Sequence, residues 1–264
     1  MYNFNYHRPG SVADASKALA GGAEARPLAG GMTILPTMKQ RLSQPSDLVD
    51  LSQIAELRGI KASGSGLVIG AMTRHADVAH SVEVKATIAA VASLAEGIGD
   101  PQVRNRGTIG GSLANNDPAA DYPGAVLGLG ATIHTNKRKI AGDDFFKGMF
   151  ETALEPGEII TAVEFPKPEK AAYVKFPHPA SRFSLTGVFV AKTANGVRVA
   201  ATGAGPCVFR VKAMEDALAK NFSADAIANI KVPATGLNSD IHGSAEYRAH
   251  LVTVMAKRAV AACR

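Results

Sequence analysis

Thr108-Ile109-Gly110-Gly111-Ser112-Leu113-Ala114-Asn115-Asn116-Asp117-Pro118-Ala119-Ala120-Asp121 is the stretch on which the reading of this chain turns. Adjacent glycines remove two Cβ atoms and open φ > 0 to the backbone. The spacing therefore predicts a tight turn whose successive N–H groups point at one anion. Asp117-Pro118 then predicts a helix start, with Asp as N-cap and Pro at the first helical position, and the helix runs to Leu129. A helix N-terminus beside a glycine turn is a phosphate cradle. Upstream, Leu28-Ala29-Gly30-Gly31-Met32-Thr33-Ile34-Leu35-Pro36 has the same design: apolar residues, a glycine pair, a hydroxyl residue and a helix-like segment. One pair is compatible with a plain turn. Two in like settings point to two loops closing on one diphosphate.

The rest of the composition sets the class. At 264 residues and 46% hydrophobic content, the chain suits one large domain or two smaller ones with a core. No apolar run reaches the ~18 residues of a membrane span. The opening Met1-Tyr2-Asn3-Phe4-Asn5-Tyr6-His7-Arg8-Pro9 lacks a basic region followed by an apolar core, so the expected location is the cytoplasm. Lys and Arg outnumber Asp and Glu by 29 to 23 without a block of like charge, and Trp is absent. This argues against a clustered, aromatic nucleic-acid face and suits an anionic cofactor. Cys207 and Cys263 stand far apart, so neither a zinc nor an iron–sulfur ligand set is expected in this chain.

Along the chain, Ser11 and Asp14 with Val12, Ala15 and Leu19 predict a capped helix ended by Gly21-Gly22. Residues 26–29 and 48–51 read as strands and 33–42 as a helix, a β–α–β unit with its ligand loop at a strand end. Ser63-Gly64-Ser65-Gly66 turns a hairpin, and helices follow over 73–81 and 85–97. Residues 131–135, 138–141 and 159–165 read as strands. Beyond the Pro- and charge-rich 166–170, strands at 173–176, 188–193, 197–202 and 207–211 lead to helices at 213–220, 224–230 and 246–262. There is no P-loop, no H-E-x-x-H and no G-x-S-x-G. His75 and His80, five apart, do not share a helix face and read as surface residues.

Ala29-Gly30-Gly31-Met32-Thr33-Ile34-Leu35-Pro36 and Thr108-Ile109-Gly110-Gly111-Ser112-Leu113-Ala114 together resemble the two FAD-binding signatures of the molybdenum hydroxylase flavoproteins. These are the FAD-binding medium subunits of the carbon monoxide dehydrogenase and xanthine dehydrogenase type. The resemblance runs the whole chain, through Tyr6-His7-Arg8-Pro9, Ile69-Gly70-Ala71-Met72-Thr73, Ala180-Ser181-Arg182-Phe183, Asp240-Ile241-His242 and Tyr247-Arg248. It implies an α+β fold: a two-subdomain FAD-binding domain of the vanillyl-alcohol-oxidase (PCMH) type over 1–168, split near 55, then a smaller C-terminal α/β sandwich domain over 169–264.

By the same resemblance, Ala29, Gly30, Gly31, Met32 and Thr33 with Gly107, Thr108, Ile109, Gly110, Gly111 and Ser112 hold the FAD pyrophosphate, and Ile34 is a further cofactor-binding position. Asp121 matches the acid that bonds the adenosine ribose. Ile98 and Ile160 match apolar or main-chain contacts to the flavin, and Lys175 the lysine near the isoalloxazine ring. Met32 stands where Gln, His or Asn is more usual, and Ser112 where Asn is frequent, so the side-chain bonding to FAD differs. No catalytic residue and no metal ligand are assigned. The implied activity is that of a cytoplasmic heterotrimer. A large molybdopterin-binding subunit oxidises substrate, a small [2Fe-2S] subunit relays electrons to FAD on this chain, and FAD passes them to an external acceptor. A self-contained FAD-dependent oxidoreductase of the same fold, or a non-catalytic anion-binding protein, are the alternatives.

Overall fold

Three larger sheets follow one another along the chain in the computed structural model, which describes residues 1–263, and a fourth of two strands lies in the chain between the last two strands of the second. The first is parallel: β1 (Asn5–His7), α1 (Val12–Gly21), β2 (Ala25–Leu28), α2 (Ile34–Lys39) and β3 (Asp47–Asp50) form two crossovers with strand order β1-β3-β2. Ser11 caps α1 by accepting from Asp14 N–H at 3.1 Å. α2 is shorter than the 33–42 that its sequence predicts. Arg41 turns left-handed (φ 61°) and Leu42 N–H returns to Thr37 C=O, so a Schellman closure ends the helix.

The second sheet is antiparallel, in the order β4-β5-β10-β6-β7. Its hairpin β4 (Ile60–Ser63) and β5 (Gly66–Gly70) precedes five helices: α3 (His75–His80), α4 (Val82–Glu96), α5 (Pro101–Arg104), α6 (Ile109–Asn115) and α7 (Tyr122–Leu129). The chain re-enters through β6 (Thr132–Thr135) and β7 (Lys139–Ala141), passes α8 (Gly142–Phe145) and the small hairpin β8 (Phe146–Gly148) and β9 (Glu151–Thr152), and closes with β10 (Ile160–Pro166). Glu158 fastens this return. Its carboxylate accepts from Arg138, Thr135 Oγ1 and the Glu155 N–H. Burial pushes its pKa up, and these bonds together with the Arg138 charge outweigh that and pull it from its ordinary 4.5 to about 2. A lowered carboxyl contributes stability above its unfolded value and loses it as pH falls toward the folded one. Glu158→Gln should therefore melt lower than the parent at pH 7 and show a flatter acid dependence between about pH 5 and pH 2 by calorimetry. Parallel acid profiles for the two proteins would count against this.

The third sheet comprises β11 (Lys170–Pro177), β12 (Ser184–Thr193), β13 (Gly196–Thr202) and β14 (Phe209–Arg210), in that order. β12 is buried on both faces, and its alternation divides two cores. Val188 and Val190 face the cluster made with α9 (Lys212–Lys220) and α10 (Ala245–Ala262), while Phe189 and Ala191 join the large cluster of α4, α7 and the second sheet. Gly128 of α7 makes this seat: a Cβ there would lie 2.6 Å from Phe189.

Candidate functional site

The first glycine loop leaves the end of β2 and enters α2. Gly31 takes φ +75°. Gly30 packs so closely on Arg106 C=O and Gly107 Cα that any Cβ would collide with backbone. The loop thus needs glycine for two different reasons, a left-handed backbone and a close approach. Among the described residues, no acceptor is assigned to the N–H groups of Gly30, Gly31, Met32, Thr33 and Ile34. Successive free amides around a left-handed glycine form an anion nest. Thr33, at the N-cap of α2, makes no side-chain capping bond.

The second glycine pair is not a turn. Gly110 and Gly111 lie in the first turn of α6, and Thr108 is its N-cap, accepting from Gly111 N–H at 3.2 Å. The predicted helix start at Asp117-Pro118 is also displaced. Asp117 accepts from Ala119 N–H in a local turn, Pro118 C=O is taken by Gly203 N–H, and helix resumes only at Tyr122. Tertiary bonds explain both shifts. Ile109 N–H donates to Thr73 C=O and Gly110 N–H to Ala71 C=O, and Ala71 fills the space a Cβ on Gly110 would need. Thr108 N–H is left without an acceptor among the described residues. The two loops meet: Gly30 lies on Arg106 and Gly107, and Gly111 faces Ala29. Ser112 is half-buried one residue further on.

Asp121 is deeply buried, at 4% exposure. It occupies the N-cap position of α7 without capping it. Tyr173 Oη donates to its carboxylate at 2.7 Å, and Lys175 Nζ stands 2.9 Å from the same oxygen. Burial pushes its pKa up against the pull of these two partners. Lys175 also donates to Gly97 C=O at 2.8 Å and is largely withdrawn from solvent. Arg104 is similarly drawn in and donates to Ile98 and Gly99 C=O. Two cations therefore fix the short segment around Ile98. Ile160 sits in the same apolar cluster as Ile98 and Ile109, beside Thr161, whose C=O accepts from Ala71 N–H behind the second loop.

His75 overturns its surface reading. It is 5% exposed, its N–H donates to Gly107 C=O, and its ring lies against Gly107. Burial lowers its pKa to about 4, helped by the Arg104 charge, so the ring is neutral at pH 7. No local sequence signal marks it, because its partner lies over thirty positions away. Surface clefts of about 360 and 580 Å³ lie elsewhere, lined by residues such as Arg58 and Asp77 in one and Ser16 and Asn136 in the other.

A family model described as FAD binding domain in molybdopterin dehydrogenase matches residues 2–168. The chain is 35% identical to the carbon monoxide dehydrogenase medium chain of Hydrogenophaga pseudoflava, over 97% of this chain and 96% of that one. It is 34% identical to the glyceraldehyde dehydrogenase medium chain of Sulfolobus acidocaldarius over the same shares. It superposes on a chain of reconstituted CO dehydrogenase from Oligotropha carboxidovorans with a TM-score of 0.90 and 34% identity, covering 98% of this chain and 97% of that one.

Proposed function

This chain belongs to the FAD-binding family of the molybdopterin dehydrogenases and is an FAD-binding oxidoreductase subunit of that type, and we propose that its two glycine loops close on the FAD pyrophosphate. The observation that carries the proposal is the run of free amides from Gly30 to Ile34, set against the free N–H of Thr108. A diphosphate needs clustered donors, and charge-assisted N–H bonds supply them without a lysine clamp. Ala29, Gly107, Ile109, Gly110 and Gly111 act in this reading by letting the backbones approach, and Ser112 adds a hydroxyl. Ile98 and Ile160 form the apolar support. Asp121 is read toward the adenosine ribose, and Lys175 sets Gly97 and Ile98 beside the ring while neutralising Asp121.

When bound, FAD supplies exchange between one-electron transfer from a partner's clusters and transfer to an external acceptor. The chain's own residues bind and orient it and shield its phosphates with amides. The partners we propose are a large molybdopterin-binding subunit and a small [2Fe-2S] subunit. The relatives' names pair one medium-chain design with carbon monoxide and with glyceraldehyde, which supports placing substrate choice outside this chain. No helix among the described residues is long and apolar enough to cross a membrane, and the cytoplasm is the proposed location. A division near residue 168 separates the proposed FAD-binding and C-terminal domains, although the large core cluster spans it.

The test is titration of the full chain, expressed alone, with FAD, followed by visible absorption of the complex from its native host with metal analysis. Stoichiometric FAD uptake, and flavin, iron and molybdenum together in the native complex, are expected. A chain that takes up no FAD sinks the loop assignment. Flavin on a lone, metal-free native chain sinks the partner assignment.

A further inference from the structure

We infer that His75 is a positioning residue that aims the Thr108 N–H into the gap between the two glycine loops. The inference rests on the FAD reading of that gap and names a residue outside both signatures. The peptide joining Gly107 to Thr108 is trans, as are all peptide bonds among the described residues, so its C=O and N–H point in opposite directions. His75 N–H holds the Gly107 C=O at 2.9 Å. Thr108 N–H is thereby turned away from His75, and Gly30 rests on the Gly107 Cα that leads into this peptide.

The imidazole then keeps that peptide from rotating. A Cβ built on Gly107 would lie 2.5 Å from His75 Nε2 and 2.8 Å from Cδ2, so the ring fills the space behind the glycine. The surrounding backbone agrees with this geometry: the bond from His75 N–H to Gly107 C=O and that from Ile109 N–H to Thr73 C=O together close the antiparallel bridge of Arg74 with Thr108. The ring itself is held by packing rather than by hydrogen bonds. Its Nδ1 is buried without a partner, and it lies 5.4 Å from the Tyr122 ring, whose hydroxyl is also buried and unpartnered. Unsatisfied buried polar atoms weaken a fold, and in native proteins each one calls for an explanation. A leucine here would pack without that penalty. The flat imidazole edge fits against Gly107 where a branched side chain would displace it.

The experiment is a double-mutant cycle on the full chain, read as FAD affinity by fluorescence titration, with the ³¹P shift of the bound pyrophosphate as a second readout. His75→Ala keeps the backbone N–H but empties the space behind Gly107. It is expected to weaken FAD binding by about tenfold, the loss of one charge-assisted bond, and to move the ³¹P signal. Gly107→Ala drives a methyl into the ring and should weaken binding similarly. In the double variant the new methyl occupies the vacated space, and at least a several-fold recovery is expected. His75→Ala binding FAD within about twofold of the parent, or a double variant no better than His75→Ala, overturns the inference. Should His75→Ala not fold, Gly107→Ala and the double variant still decide it, because a ring that only fills space predicts that the double variant recovers its melting temperature without recovering FAD affinity or the parent ³¹P shift. A parent chain that takes up no FAD fails the site reading itself. Uptake by the parent with an indifferent His75→Ala fails only this one.

Discussion

Gly30→Val is expected to abolish FAD uptake at micromolar concentrations while leaving the chain folded. The reason is local and steric. A side chain at Gly30 meets the Arg106 carbonyl and Gly107 Cα, which are backbone atoms and cannot swing aside as a flexible side chain can. The loops must part, and the free amides from Gly30 to Ile34 no longer converge with Thr108 N–H. Losing two amide-to-phosphate bonds at about 1.5–3 kcal/mol each corresponds to a loss of at least a hundredfold or so in affinity. Gly30 is only partly buried and lies outside the three core clusters, so melting should shift little. Gly64→Ala is the control: it sits at a hairpin tip with open space around it and should bind as the parent does. Gly30→Val binding FAD within about threefold of the parent would show that the loops do not close on the cofactor.

Lys175→Met is expected to be the most destabilising single change near the site. The lysine neutralises a carboxylate that is otherwise deep in the protein. Removing one partner of a buried pair costs roughly 3–5 kcal/mol, a fall of about 10 °C in melting temperature at about 2–4 °C per kcal/mol. The pH dependence has a definite sign. Without Lys175, burial acts on Asp121 against little more than the Tyr173 hydrogen bond and raises its pKa further above the unfolded value. The stability of the variant is then greatest in acid and falls as pH rises through that raised value, opposite to the Glu158 contribution. Asp121→Asn combined with Lys175→Met removes both charges and should recover much of the loss, because an intact buried pair adds little over a neutral one. Calorimetry of the parent and the two variants between pH 4.5 and 8 checks this. A Lys175→Met protein melting within about 2 °C of the parent, with no change in pH profile, would place the lysine in solvent instead.

Much of the architecture was legible in the order of the residues. Gly30-Gly31 after a short strand, Ser63-Gly64-Ser65-Gly66 in a hairpin and Asn195-Gly196 between β12 and β13 are signals whose meaning is carried by neighbours in the chain. The strand β1 was not anticipated. It is an exposed three-residue strand, too short for a periodic pattern, and it exists because Asp47 and Asp50 anchor His7 and Tyr6 across the sheet.

What the sequence determined by itself is therefore the first glycine loop, its strand and helix setting and the class of ligand it suits, since glycine conformation and turn chemistry act over a few residues. What only the tertiary structure decided is which amides remain free, and which side chains stand behind them. Gly110-Gly111 became helix because the Ala71 and Thr73 carbonyls took their neighbouring N–H groups. Lys175 and His75 are drawn inside because a distant carbonyl, a carboxylate and a glycine gave them places there. Hydrogen-bond satisfaction and burial are settled between segments far apart in the chain, and no local pattern encodes them.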